Sequence, residues 1–277
     1  MVKYAIISDI HGNLEALNAV VEDMKKQEVD RVICLGDIIS KGAHSHECVQ
    51  IIKDICDAVV KGNNDVHYTK SLDEIAGGCE NFDYDYFYWN QKQLSSDDIN
   101  FLRKLPLCCE FMLSGRLIRC FHATPQSPEI SVFNFDAYDK KLKLFEPTEF
   151  TTNKTADVVI YGHTHHISYE KLFGHILINS GSVGNALNII SNEVQNNPKI
   201  ADFTMAEYLI ISGEDGDNLG EIGVEMRCVP YDKEKELKSL PDNKYKEKYT
   251  AEIMDGAYRN PQRINNHLRQ ANDKNSY

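Results

Sequence analysis

The opening residues alternate between apolar runs and amphipathic runs, and this alternation constrains the fold more than any other feature of the chain. Val2–Ser8 and Arg31–Leu35 are nearly continuous apolar runs, which is the pattern of strands buried on both faces. Leu14–Gln27 and His46–Ile55 carry apolar residues at helical spacing, and Ala58–Val60 forms a third short strand-like run. This β-α-β-α-β order predicts an α/β fold with parallel strands and right-handed crossovers.

Beyond residue 65 the alternation stops, and the chain becomes rich in acidic, amide and aromatic side chains. We expect a small helical cap insertion over 65–107, with helices near 85–94 and 96–104. Strands then resume around a Ser114-Gly115-Arg116 turn. They are predicted at Glu110–Leu113, Leu117–Phe121, Val158–Tyr161, Ile167–Leu172, His175–Asn179, Glu207–Ile211 and Gly223–Val229. Residues 1–230 are therefore the predicted main domain, and 231–277 a charged C-terminal helical extension.

Charge and cysteine usage argue against several classes of protein. The chain has 30 basic and 42 acidic residues, a net charge of −12, which disfavours a nucleic-acid partner. The N-terminal apolar run is too short for an export signal, and no later run approaches the roughly 18 apolar residues of a membrane span. The eight cysteines include no C-x-x-C pair. We therefore expect a cytoplasmic protein with reduced thiols and no membrane partner.

Five short polar clusters each follow an apolar strand. They are Asp9-Ile10-His11, Gly36-Asp37, Gly62-Asn63-Asn64-Asp65, His122 and Gly162-His163-Thr164-His165. Ligands of α/β sheets bind beyond the carboxyl ends of the strands, so clusters at strand ends are expected to converge. Any one of them alone is typical of a turn or a solvated loop, but five together indicate a metal site. Oxygen and imidazole donors without thiolates suit manganese, iron or zinc.

In kind and in order, these clusters resemble the motifs of the calcineurin-like metallophosphoesterases, a resemblance that covers about residues 1–230. It implies a four-layer αββα sandwich with two metal ions, manganese or iron being expected and zinc the alternative. The family pattern assigns one ion to Asp9, His11, Asp37 and His165, and the other to Asp37, Asn63, His122 and His163. All seven positions hold the expected residue types, which disfavours the catalytically degenerate branch of the family.

The implied chemistry is hydrolysis of P–O bonds. Two ions about 3.5–4 Å apart lower the pKa of a bridging water and clamp the attacking and leaving oxygens, so no protein nucleophile is needed. Many family phosphatases carry a histidine proton donor directly after the motif asparagine, where this chain has Asn64. An amide cannot act as a general acid, which favours leaving groups that need no proton. The predicted catalytic residues are Asp37, Asn63, Asn64 and Asp65.

Three further residues are candidates for substrate contact. Lys41 stands where related protein phosphatases have an arginine, and a lysine offers phosphate a point charge rather than a bidentate fork. His67 either assists proton transfer in place of the missing histidine or is a polar residue at the start of the insertion. Tyr88 belongs to an aromatic group that either forms the core of the insertion or stacks on a nucleobase. Near the end of the domain, Ser180 replaces the proline of the family's N-P-G-S-V element.

The expected substrate is a small phosphorylated molecule, preferably a nucleotide. Chain length, the insertion and Asn64 resemble small bacterial enzymes that cleave diadenosine tetraphosphate asymmetrically into ATP and AMP. A general or cyclic-nucleotide phosphodiesterase and a phosphoprotein phosphatase are the enzymatic alternatives. A metal-dependent protein-interaction scaffold is the non-enzymatic one. The sequence leaves open whether the charged tail packs on the sandwich or mediates formation of a homodimer.

Overall fold

Ten strands form two five-stranded sheets in the computed structural model, which describes residues 1–71, 74, 83–187, 204–242 and 244–256. The first sheet contains β1 (Val2–Ile7), β2 (Arg31–Cys34), β3 (Ala58–Val59), β9 (Ala206–Gly213) and β10 (Ile222–Val229). Its order is β10-β9-β1-β2-β3, with β1, β2 and β3 parallel and β9 antiparallel to both neighbours. The parallel β-α-β-α-β arrangement is thus confirmed.

The second sheet contains β4 (Cys108–Leu113), β5 (Arg116–Phe121), β6 (Val158–Tyr161), β7 (Ser168–Leu172) and β8 (His175–Asn179). Its order is β4-β5-β6-β8-β7, with a parallel β5-β6-β8 centre and antiparallel edges. Because β1, β2, β5 and β6 are all buried, their carboxyl ends deliver the following loops to a fixed place at the edge of the sandwich.

The described helices are α1 (Leu14–Lys26), α2 (Ser45–Ile55), α3 (Asn63–His67), α4 (Tyr84–Gln91), α5 (Ser96–Lys104), α6 (Tyr138–Leu142), α7 (Lys233–Lys238) and α8 (Lys244–Asp255). Helix α1 begins where the Asn13 side chain accepts a hydrogen bond from the Ala16 N–H. It buries Ala16, Leu17, Val20 and Met24, which its 3.6-residue period places on one face.

Alternation along β1 explains the layering. Ala5 and Ile7 pack with the residues of α1 and α2, whereas Tyr4 and Ile6 face the second sheet. The outer face of the second sheet is covered by α6 and by a 3₁₀ turn at Lys143–Phe145. The predicted αββα sandwich is confirmed, although its fourth layer is a short helix and a turn that the sequence did not reveal.

The predicted insertion does contain helices, α4 and α5, although residues 72–73 and 75–82 lie outside the described part of the chain. These helices share the hydrophobic cluster of α1 and α2, with Phe87 only 1% exposed. Of the predicted tail, α7 and α8 are described, and residues 257–277 are not. In the described tail, Leu240, Tyr249 and Ile253 form a small buried cluster with Trp89. The division into domain, insertion and extension remains a prediction.

Within the described ranges, none of the helices has the length and apolarity that crossing a bilayer requires.

Candidate metal centre

Backbone hydrogen bonds tie the loops after the strands into one structure. The N–H of Asp9 donates to the carbonyl of Gly36 at 2.9 Å, and that of Gly162 donates to the carbonyl of His122 at 2.8 Å. The loop after β8 joins them, since the Val183 N–H donates to Ser8 at 2.9 Å. This last loop contains Ser180 at the position of the family's proline, and it contacts the backbone at Ser8 and Asp9 through Val183 and Gly184. Four predicted ligand segments thus meet at one edge of the sandwich.

The first group of side chains is Asp9, His11, Asp37 and His165, all buried, with one ligand atom of each within 4.8 Å of the others. His165 Nε2 lies 3.1 Å from Asp9 Oδ1 and 3.0 Å from His11 Nε2. His11 Nε2 is 3.7 Å from Asp37 Oδ2. The four residues that the family pattern assigns to one ion therefore converge.

The second group lies beside it and shares Asp37. Asn63 Oδ1 is 3.0 Å from His122 Nε2 and 2.9 Å from His163 Nδ1. The Oδ1 atom of Asp37 is 3.6 Å from His122 Nε2, while its Oδ2 atom faces His11. The carboxylate of Asp37 thus has one oxygen toward each group, and the seven predicted ligands form two adjoining clusters.

The polar atoms of the first group fit a cation. Asp9 Oδ1, which faces the cluster, is buried without a hydrogen-bond partner, which is rare for a buried polar atom unless an ion or water is implied. Burial alone would raise the pKa of Asp9, but the imidazoles of His165 and His122 hold it well below its usual range. Burial, and then the Lys41 charge, hold the pKa of His11 well below its usual value. A charged carboxylate beside a neutral imidazole is a metal-ligand set.

Three histidines are oriented by a second contact on the other ring nitrogen. His165 Nδ1 lies 2.7 Å from the carbonyl of Asn185, and His122 Nδ1 lies 2.9 Å from that of Leu35. A carbonyl only accepts, so Nδ1 carries a proton in both rings, and Nε2 is the nitrogen that faces the cluster. His163 is reversed, with Nε2 3.0 Å from Ser131 Oγ and Nδ1 toward Asn63.

The backbone of the candidate ligands is strained. Asp9, His11, Asp37, His163 and His165 have φ between +52° and +65°, the left-handed region that non-glycine residues rarely adopt. Such residues cost about 1–3 kcal/mol each and cluster at functional sites. Gly62 meets a related demand, because a Cβ there would overlap the carboxylate and backbone of Asp37.

Asp65, a predicted catalytic residue, is fully buried behind the loops. Its carboxylate accepts the N–H groups of Asp37 and Gly62 at 2.8 Å and of Ile38 at 3.0 Å. Burial and the neighbouring Asp37 carboxylate raise the pKa of Asp65 to about 7. The arrangement fixes the loops that carry Asp37 and Asn63, and the role in catalysis remains a prediction.

Asn64, also a predicted catalytic residue, holds Asp37 through two donors. Its backbone N–H lies 2.7 Å from Asp37 Oδ1, and its Nδ2 donates to Oδ2. A side chain that donates to a buried carboxylate orients it. Nothing in the sequence except its place after Asn63 signals this contact.

The three candidate substrate residues lie at different places. Lys41 is mostly buried, with Nζ 3.1 Å from Glu252 Oε2 in α8. His67 ends α3 and packs edge-on against the rings of Tyr68 and Phe87, and burial lowers its pKa. The Tyr88 side chain is 39% exposed, and its ring meets the edge of Phe87.

Among the residues the structure describes, sequence reasoning missed several that contact the clusters. Ser8 Oγ donates to Asp9 Oδ2 at 2.6 Å, and Ser182 Oγ donates to the Asp9 carbonyl at 2.7 Å. Ser8 directly precedes the Asp9 motif, and Ser182 lies within the element that contains Ser180, so the sequence did carry a signal for both. Asn185 directly follows the element that contains Ser180, whereas Ser131 contacts the second cluster from a loop without a motif of its own.

Comparison with known proteins places these features in a family. Residues 2–194 match the calcineurin-like phosphoesterase superfamily domain. An uncharacterized protein of Methanocaldococcus jannaschii is 33% identical over 185 residues, which are 65% of this chain and 69% of the relative. The fold is similar to that of a metallophosphoesterase from Sphaerobacter thermophilus, with a TM-score of 0.65, 22% identity and coverage of 92% of this chain and 99% of that one. A hypothetical protein from Pyrococcus horikoshii OT3 aligns with a TM-score of 0.69, 16% identity and coverage of 93% and 99%.

Proposed function

Because the chain belongs to the calcineurin-like phosphoesterase superfamily, a membership that supports a metal-dependent hydrolase, we propose that it is a two-metal phosphoesterase acting on dinucleoside polyphosphates. The observation that carries the proposal is the carboxylate of Asp37, with Oδ2 3.7 Å from His11 and Oδ1 3.6 Å from His122. A buried carboxylate placed between two donor clusters is what a bridging ligand requires. The metal ligands are the seven residues of these clusters, and manganese or iron suits their oxygen and imidazole donors.

When bound, two ions at such a site activate a water and stabilise the attacking and leaving oxygens of an in-line displacement. The chain's own residues prepare the site. The Asn185 and Leu35 carbonyls keep His165 and His122 in the tautomer that presents Nε2. Asn64 and Asp65 hold the Asp37 carboxylate and the backbone beside it. Preorganisation of this kind reduces the rearrangement needed when charge develops on the phosphate.

The identity of residue 64 supports this substrate class. Asn64 occupies the position of the family's proton-donating histidine, and its amide is engaged with Asp37. A leaving group that is already acidic, such as a nucleoside triphosphate, needs no protonation, whereas an alkoxide leaving group does. The exposed Tyr88 ring offers a stacking surface for an adenine. We therefore propose asymmetric cleavage of diadenosine tetraphosphate to ATP and AMP.

The test is product analysis after incubation of the manganese-loaded protein with diadenosine tetraphosphate. Asp37→Ala removes the shared carboxylate, and Asp54→Ala, at an exposed position of α2, is the matched control. The expected result is ATP plus AMP from the wild type and the control, and neither from Asp37→Ala.

The remaining outcomes separate the substrate from the reaction. Cleavage of bis(p-nitrophenyl) phosphate or of a cyclic nucleotide, but not of the dinucleotide, would overturn the substrate and point to a phosphodiesterase. Release of phosphate from a phosphopeptide alone would point to a phosphoprotein phosphatase. Equal activity of Asp37→Ala and wild type would overturn the two-metal proposal, because the proposed site depends on the carboxylate that the two clusters share.

A further inference from the structure

The C-terminal helix α8 lies against the candidate metal centre, far from it in sequence. Tyr249 and Ile253 are almost completely buried and pack with Leu240 and Trp89. The Tyr249 hydroxyl donates to the carbonyl of Gly184 at 3.4 Å. This face of α8 therefore rests on the loop after β8, which also contacts the backbone of Asp9.

Glu252 is a charged residue on that buried face, with only 3% of its surface exposed. Its Oε2 atom accepts from Asn185 Nδ2 at 2.9 Å and from Lys41 Nζ at 3.1 Å. Burial of a carboxylate is unfavourable unless it is paired and hydrogen-bonded. One oxygen of Glu252 thus joins two loops that approach the metal centre from different sheets.

The first loop, which follows β8 and contains Asn185, contacts His165. Asn185, whose amide donates to Glu252, presents its backbone carbonyl 2.7 Å from His165 Nδ1. That carbonyl determines which ring nitrogen of His165 carries the proton and which faces Asp9 and His11. An Asn185 that is anchored by Glu252 holds this carbonyl in place.

The second loop, which follows β2 and contains Lys41 and Gly42, contacts the backbone of His11. Ser40 and Lys41 both have positive φ, so the backbone between Asp37 and Gly42 is strained. The next residue, Gly42, donates its N–H to the carbonyl of His11 at 2.8 Å. The ion pair of Lys41 with Glu252 holds the strained segment in the position that supports this hydrogen bond.

We propose that Glu252 is a positioning residue of the metal centre, which fixes His165 through Asn185 and the His11 loop through Lys41. This inference rests on the proposed function only for its consequence in catalysis, because the positioning acts on metal binding itself. It also assigns a role to the C-terminal extension, because α8 supports the site from a segment that is far from the ligands in sequence. Outer residues that orient metal-ligating histidines typically change metal affinity about 10–100-fold when they are replaced.

The experiment compares Mn²⁺ binding by isothermal titration calorimetry in the full chain and in single variants. Glu252→Gln keeps the shape of the side chain and removes its charge. Glu247→Gln makes the same change at an exposed position of the same helix and is the matched control. Asn185→Ala removes the side-chain amide that donates to Glu252, so the backbone carbonyl facing His165 loses its anchor. The ion pair of Glu252 with Lys41 stays in place. The stability of each metal-free protein is measured by thermal denaturation with a chelator.

We expect Glu252→Gln and Asn185→Ala each to weaken Mn²⁺ binding about tenfold or more, and Glu247→Gln to change it less than twofold. The double variant Glu252→Gln/Asn185→Ala should lose less than the product of the single losses, because the two residues share one path to His165. In the metal-free protein, long-range ¹H–¹⁵N spectra should show His165 protonated at Nδ1 in the wild type and as a tautomer mixture in both variants.

Mn²⁺ affinity and a His165 tautomer unchanged in a folded Glu252→Gln would overturn the inference. If Glu252→Gln does not fold, Asn185→Ala alone decides, and unchanged affinity there has the same meaning. Failure of the proposed function can be distinguished from failure of this inference. Loss of Mn²⁺ affinity in variants of a wild type that hydrolyses no phosphate ester would overturn the function and support the positioning role.

Discussion

Glu207 is a buried carboxyl group in β9 whose titration should be visible in the stability of the whole protein. The residue is 7% exposed, and its Oε2 atom is buried without a hydrogen-bond partner. Burial raises the pKa of Glu207 to about 8, although the N–H groups of Ile167 and Ser182 favour the ionised form. The carboxyl faces Gly181, where a Cβ would overlap it. A charge at this position has little solvation.

The sign and size of the effect follow from the two pKa values. The folded protein holds the proton more tightly than the unfolded chain, where the group titrates at 4.5. Glu207 therefore contributes its full stability below about pH 4.5 and loses it as the pH rises through about 8. From 4.5 to 8 is 3.5 units, and at 1.36 kcal/mol per unit the loss is about 4.8 kcal/mol.

The variant Glu207→Gln is neutral at every pH and should escape this loss. We expect the two proteins to differ by less than about 1 kcal/mol in free energy of unfolding at pH 5, a typical hydrogen-bond difference. At pH 8 the variant should be more stable by about 4 kcal/mol. Urea denaturation at pH 5, 6.5 and 8 with a chelator measures this difference, and titrations common to both proteins cancel.

The matched control is Glu221→Gln, at an exposed position just before β10. Its stability should follow the wild type at each pH, because an exposed carboxylate changes its solvation little on folding. Parallel pH curves for the wild type and Glu207→Gln would refute the reasoning, because they would mean that Glu207 is as well solvated in the folded protein as in the unfolded chain.

Four further substitutions test the packing around the site and the proposed substrate contact. Asp65→Asn puts an NH₂ group in place of one of the two oxygens that accept backbone N–H groups. At pH 5, where the pKa of about 7 leaves no buried charge to remove, the unpaired N–H should lower the free energy of unfolding by about 1–3 kcal/mol in urea denaturation; an unchanged midpoint would contradict this. Gly62→Ala, whose Cβ meets Asp37, should cost about 1–3 kcal/mol and weaken Mn²⁺ binding in calorimetry, and unchanged binding would argue against the tight fit. Phe87→Ala should cost about 3–5 kcal/mol in the buried cluster, measured by thermal denaturation. The exposed Tyr88→Ala should instead raise KM for diadenosine tetraphosphate about 5–150-fold, the equivalent of roughly 1–3 kcal/mol of stacking, and an unchanged KM would remove Tyr88 from the substrate site.

The fold was predictable where its signal is local. Apolar runs and helical periodicity identified β1, α1, β2 and α2 within a residue or so at each end, because burial of these elements leaves a pattern in consecutive residues. The short helix α6 and the 3₁₀ turn that form the fourth layer were missed. Their segment is polar and short, and it is held in place by the second sheet rather than by its own periodicity.

The candidate site was predictable to the extent that each ligand follows a strand. Strand ends converge in any sandwich of this kind, so Asp9, Asp37 and His122 could be grouped before their distances were known. The support of the site was not predictable in this way. Glu252 meets Lys41 across 211 positions and Asn185 across 67, and a charged helix that buries one carboxylate has the same local sequence pattern as a solvated helix.

The strained backbone of the candidate ligands explains why many of the residues that hold them in place are far from them in sequence. Asp9, His11, Asp37, His163 and His165 sit in left-handed conformations that their own residues do not favour. A local segment could not maintain five such conformations, each costing about 1–3 kcal/mol. They persist because neighbouring loops supply the missing constraint, from Gly36 on one side and Gly184 on another, whose backbone groups bond to Asp9 at 2.9 and 3.0 Å. The geometry of the centre is therefore a property of how the two sheets and the C-terminal helix pack, and a ligand to this site meets donors that are already in place.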